Sequence, residues 1–132
     1  MGSVSYLLDT HTFLWAVSDN RRLGVKAKEI LDNPSTLLYL SSASAYEIMN
    51  KYRIGKLPGY ANVAENYHMI VNEFGAYELP VSTKHAHYAG KFDWIHRDPF
   101  DRIIAAQAFL EDFILITNDT VFNSLTWVKV LW

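Results

Sequence analysis

The segment HRDPFDRIIAAQAF, His96 to Phe109, packs two aspartates, two arginines and a histidine into seven residues ahead of an apolar run. Asp98 and Asp101 are three residues apart, so a helix beginning near Pro99 puts them on one face. Three more acids have similar settings. Asp9 closes the apolar run SYLLD, Glu47 sits in the largely apolar stretch Ala43 to Met49, and Asp119 follows FILITN. Carboxylates brought together from separate segments repel one another, and burial raises their pKa further. A divalent cation among them offsets both costs. Hard oxygen ligands without thiolate or a dense histidine set suit Mg²⁺ or Mn²⁺ rather than Zn²⁺. Mg²⁺ held by carboxylates, with positions left for water, can generate hydroxide and clamp a phosphate oxygen. That is the chemistry of phosphodiester hydrolysis.

Each acid also has an ordinary explanation. Asp9, Asp98 and Asp119 could cap helices. Asp101 could favour the positive end of its helix, and Glu47 could lie on a solvated face. The shared placement of Asp9, Glu47, Asp101 and Asp119 favours a common site. In open α/β sheets, ligands bind beyond the carboxyl ends of the strands, and the register puts all four acids there.

The elements that must position them follow from patterning. SYLLD, TLLYLS and FILIT are apolar without polar alternation, as in strands buried on both faces. YELPV and WVKVLW read as two shorter strands. Helices are predicted over THTFLWAVSD, LGVKAKEILDNP, SSASAYEIMNKYRIGKL, YANVAENYHMIVNEFG, STKHAHYAGKF and DPFDRIIAAQAFLED. Serine opens the third, Gly75 ends the fourth, Ser82 or Thr83 caps the fifth, and Pro99 starts the last. Strands alternating with helices imply an α/β protein, with a parallel sheet covered on both sides.

The 132 residues are half apolar, enough for one domain spanning 1–132 with a sizeable core. Without cysteine there is no disulfide framework, thiolate metal site or thiol nucleophile, which fits a reducing, cytoplasmic setting. No apolar run approaches the roughly 20 residues that span a bilayer, so no membrane role is expected. The N-terminus lacks a secretory pattern, and Tyr6 stands where a myristoylation signal after Met1-Gly2 needs Ser or Thr. The net charge of −2 argues against a protein that coats nucleic acid. It leaves room for a nuclease whose positive charge is a metal ion.

YLLDTHTFLW, SSASAYEIMNKYRIGKL, HRDPFDRIIAAQA and LITNDTVF resemble, in that order, the four blocks of PIN-domain ribonucleases, in particular VapC-type toxins of bacterial toxin–antitoxin pairs. The resemblance covers essentially the whole chain. It implies a three-layer α/β/α sandwich with a mainly parallel sheet, and Mg²⁺- or Mn²⁺-dependent cleavage of RNA. It also implies a homodimer and a cognate antitoxin protein that blocks the groove. The family's acidic quartet falls on Asp9, Glu47, Asp101 and Asp119 as metal ligands and catalytic groups. Asp98 matches a supporting acid of the subgroup, and Thr117 a hydroxyl found near the last acid. His11 departs from the small residue or serine that many relatives carry two places after the first acid. It is expected to pack or to lie at the surface.

Cations for RNA phosphates would be Lys51, Arg53 and Lys56 after Glu47, and Arg97 and Arg102 around the acid pair; Lys51, Arg53 and Lys56 could equally form a solvated face, and Arg102 could equally pair with a neighbouring acid. His96 reads as a surface residue, and His85 and His87 do not share a helix face. Trp15, Tyr46, Tyr52 and Tyr60 read as core or dimer contacts. Two rivals are weaker. A Mg²⁺-dependent phosphatase with Asp9 as nucleophile needs an acid where His11 stands. A catalytically silent PIN-like binding module would have lost an acid of the quartet, and none is missing.

Overall fold

The computed structural model describes residues 4–132. Met1-Gly2, the start of the myristoylation-like sequence, lies outside the described residues. β1 (Ser5–Leu8) leads into α1 (Thr10–Ser18), a 3₁₀ turn at Asn20–Arg22 and α2 (Val25–Asp32). β2 (Leu37–Ser41) is followed by α3 (Ser42–Arg53), α4 (Ala61–Glu65) and α5 (Tyr67–Phe74). β3 (Tyr77–Leu79) precedes α6 (Thr83–Lys91) and α7 (Pro99–Leu110). β4 (Ile114–Ile116), a 3₁₀ turn at Thr120–Ser124 and β5 (Val130–Leu131) complete the order.

The strands form one sheet, ordered β3-β2-β1-β4-β5, with every pairing parallel. Parity along the strands feeds two cores. Leu8, beside Leu40 and Ile116, packs with Phe13, Leu14 and Ile48. Leu7, beside Tyr39 and Leu115, packs with Ile104, Ala105 and Phe122. Helices therefore cover both faces, giving the three-layer α/β/α sandwich. The chain starts in mid-sheet, moves outward through β2 to β3, then returns through α6 and α7 to β4 on the other side of β1. The connections leaving β1 and β4 diverge, which opens a crevice at their carboxyl ends.

Two elements differ from the sequence reading. The helix expected over YANVAENYHMIVNEFG is two helices, α4 and α5. At the break, Asn66 Nδ2 donates to both the carbonyl and the side chain of Asn62. Asparagine competes in this way with the helical ladder. WVKVLW contributes only Val130–Leu131 to the sheet, because Trp127 and Val128 pack into the second core instead. Gly75 ends α5 in the left-handed region, at φ 88°. Gly75→Ala is expected to cost about 1 kcal/mol, read from the urea midpoint.

Candidate active site at the carboxyl edge of the sheet

Asp9 stands at the crevice because β1 ends there. It caps α1, accepting from the Thr10 amide at 2.9 Å, and its own N–H extends the ladder to Ile116 O. Thr117, just past β4, donates from Oγ1 to Asp9 Oδ2 at 2.8 Å and accepts from the Asp119 N–H at 3.0 Å. One hydroxyl thereby ties the first acid to the segment carrying the last. Asp119 accepts from the Val121 amide and caps the following 3₁₀ turn.

Glu47 lies on the second turn of α3, which Ser41 caps by accepting from the Ala43 amide. It is buried, at 6% exposure, yet reaches the same edge. Thr10 Oγ1 donates to Glu47 Oε1 at 2.7 Å and lies 2.8 Å from Ser44 Oγ. Lys51 holds the other carboxylate oxygen. Asp98 caps α7, its Oδ1 accepting from the Phe100 and Asp101 amides. That turn lifts Asp101 toward the crevice, where His96 Nε2 lies 2.6 Å from its Oδ2.

The acids sense one another electrostatically. Burial raises the Asp9 carboxyl above the usual range despite its hydrogen bonds from Thr117 and Thr10, and the charges of Glu47 and Asp119 add to the rise. Burial likewise pushes Asp101 up to about 6, opposed by the His96 hydrogen bond and reinforced by Asp98 and Asp9. Hydrogen bonds through Thr10 and Thr117 tie Asp9 to Glu47 and to the Asp119 segment. An open cleft of about 400 Å³ runs from Thr117, Asn118 and Asp119 to Lys26 and Trp132.

The sequence pointed to these acids and to Thr117 but missed their holders. Thr10 and Ser44 are short hydroxyls in segments that had already attracted attention, next to Asp9 and three before Glu47. His96 was expected at the surface, and it is instead half-buried against Asp101 and the Trp94 ring. Arg102, read as either an RNA contact or the partner of a neighbouring acid, is instead bound to backbone carbonyls. Its guanidinium donates to the carbonyls of Ala89, Phe92, Trp94 and His96 and lies over the Phe92 ring. Arg53 and Arg97 are exposed. His11 is exposed and lies beside Trp15. His85 is buried between Ser82, Gln107 and Glu111, well away from any paired role with exposed His87.

A family model for the PIN domain matches residues 6–128. The chain belongs to the PIN domain family. Solved structures with this fold include a VapBC2 complex from Rickettsia felis bound to a promoter DNA fragment, at 20% identity and TM-score 0.69 over 97% of this chain and 98% of the other. A toxin–antitoxin complex from Klebsiella pneumoniae matches at 21% and 0.65 over 97% of each chain. A VapBC-1 complex from nontypeable Haemophilus influenzae matches at 18% and 0.70, also over 97% of each. No curated protein matches the chain.

Among the described residues, no three acid or histidine side chains are gathered as a formed metal cluster. The carboxylates are occupied by the chain's own donors, namely Thr117, Thr10, Lys51 and His96. The donor set is nonetheless one of hard oxygens, and two of its acids carry raised pKa values from burial and mutual repulsion. That chemistry fits Mg²⁺ or Mn²⁺ in this PIN domain. Thr117→Val would leave Asp9 Oδ2 without its donor. Cation affinity is expected to fall about 10- to 100-fold while the fold survives, as read by calorimetry and circular dichroism.

Proposed function

We propose that this PIN domain is a Mg²⁺- or Mn²⁺-dependent endoribonuclease, the VapC-type toxin of a toxin–antitoxin pair. The observation that carries the reading is the hydrogen-bonded set at the carboxyl edge of the sheet, where Thr10 joins Asp9 to Glu47 and Thr117 joins Asp9 to the Asp119 segment. Structural relatives described as VapBC or toxin–antitoxin complexes support it. Asp9, Glu47, Asp101 and Asp119 would hold the metal. A cation held there would supply Lewis-acid polarisation of a phosphate oxygen and a more acidic water.

The chain's own groups set up the site. Thr117 and the Thr10 amide aim Asp9, the Thr10 hydroxyl aims Glu47, and His96 aims Asp101. Asp98 fixes the first turn of α7 and adds negative charge beside Asp101. Arg53 and Arg97 offer exposed cations to RNA phosphates, so binding should weaken with salt. Lys51 can join them only by leaving Glu47. In this reading the protein works in the cytoplasm as a homodimer under a cognate antitoxin. Exposed Tyr46, Met49 and Ile95 supply apolar contact area for such partners. No described helix is long and apolar enough to cross a membrane.

The test is cleavage of total cellular RNA by purified protein with Mg²⁺, Mn²⁺, Ca²⁺ or EDTA, alone and with the product of a small upstream gene. Cleavage in Mg²⁺ or Mn²⁺, lost in EDTA and suppressed by that product, is expected. Intact RNA in every metal, with no metal-dependent thermal shift, would leave a protein-binding module.

A further inference from the structure

Lys51 is placed where a cation is wanted. Its Nζ lies 2.5 Å from Glu47 Oε2, one turn earlier on α3. With Thr10 on Oε1, both carboxylate oxygens of Glu47 are taken. One ammonium thus neutralises a carboxylate whose side chain is almost fully buried. Among the described residues, no other lysine or arginine bonds any acid of the quartet.

Resting on the cation-dependent nuclease reading, we propose that the Lys51 ammonium is a built-in placeholder for the divalent cation. It neutralises Glu47 when no cation is present and must leave it when one binds. The cause is elementary. Converging carboxylates without countercharge repel, and burial leaves little water to screen them. An oxygen held by the ammonium is not free to serve as a ligand. The lysine suits an exchange: its charge is compact, its stem has four flexible carbons, and its side chain is about one-third exposed. Once released, the ammonium stands at the rim of the site. Cation loading would then present one more charge to an RNA phosphate, coupling metal and substrate binding through a single side chain.

The test uses the full chain and the metal alone. Trace acetylation of the wild-type protein is quantified by mass spectrometry, without cation and in saturating Mg²⁺. Lys51 reactivity relative to exposed Lys56 is expected to rise severalfold with Mg²⁺. In parallel, calorimetry with Mn²⁺ compares the wild type with Lys51→Met and Arg53→Met. Lys51→Met is expected to bind about tenfold more tightly. Arg53→Met, whose guanidinium bonds Asn50 rather than an acid, should change the affinity little. Cation binding with unchanged Lys51 reactivity would overturn the placeholder and leave the nuclease reading intact. Equal tightening by both substitutions would reduce Lys51 to a distant charge, which also overturns it. No cation binding by any of the three proteins would remove both readings. Should Lys51→Met fail to fold, the acetylation result on the wild type decides alone.

Discussion

Asp101→Asn is expected to cut RNA cleavage by on the order of a thousandfold, about 4 kcal/mol of barrier, while making the cation-free protein more stable. The two effects share a cause. Asp101 sits between Asp98 and Asp9, and burial with those charges lifts its pKa from 3.8 to about 6. The unfolded chain releases this proton near 3.8 and the folded chain only near 6. As pH rises across that window the unfolded state ionises first, so stability falls, and the loss is complete above about 6. At about 1.4 kcal/mol per unit the cost at neutral pH approaches roughly 3 kcal/mol. That figure already includes the bond to His96; an asparagine amide replaces the protonated carboxyl imperfectly, so a gain of about 1 kcal/mol is expected for Asn. Melting temperatures of both proteins at pH 4 and pH 7.5 give the answer. The variant should match the wild type at the lower pH and exceed it by a few degrees at the higher. A variant less stable at pH 7.5 would mean that Asp101 serves the fold.

Arg102→Ala is expected to destabilise the protein by about 3 kcal/mol, an unusually large loss for a partly exposed arginine. The guanidinium gathers four carbonyls from Ala89 to His96, so truncation removes four charge-assisted bonds at once. The connection between α6 and α7, which carries His96 and Asp98, then loses its anchor. Lysine cannot reproduce the planar fork, so Arg102→Lys should recover only a minor share. Urea unfolding would show a lower midpoint at unchanged slope. A loss under about 0.5 kcal/mol would return Arg102 to the exposed cations.

The legible parts of the sequence are those fixed by local pattern. SYLLD, TLLYLS and FILIT stood out because each strand is buried on both faces, so no polar alternation interrupts it. The acids stood out because they end such strands or open helices beside them. Asp98 shows the limit of that reasoning, since a cap and a member of an acidic site look alike in sequence. What escaped depends on pairs far apart in the chain. Thr10 meets Glu47 across 37 residues, and Thr117 meets Asp9 across 108. A hydroxyl offers no sequence signal for a partner at that distance. Arg102 was misplaced because its partners are backbone carbonyls, which any sequence supplies and only the path from Ala89 to His96 brings into reach. The break at Asn66 turns on a side-chain amide whose partner lies four residues earlier. It was visible in principle as two asparagines at helical spacing.

In the proposed reading, four acids from separate segments act as one cation site. Calorimetric titration of the cation-free protein with Mn²⁺, beside Asp9→Asn and Asp101→Asn, tests it most directly. Saturable binding of one or two ions per chain, lost or weakened at least about tenfold in both folded variants, is expected. Absence of binding to the wild type, or binding unchanged in both variants, would contradict it.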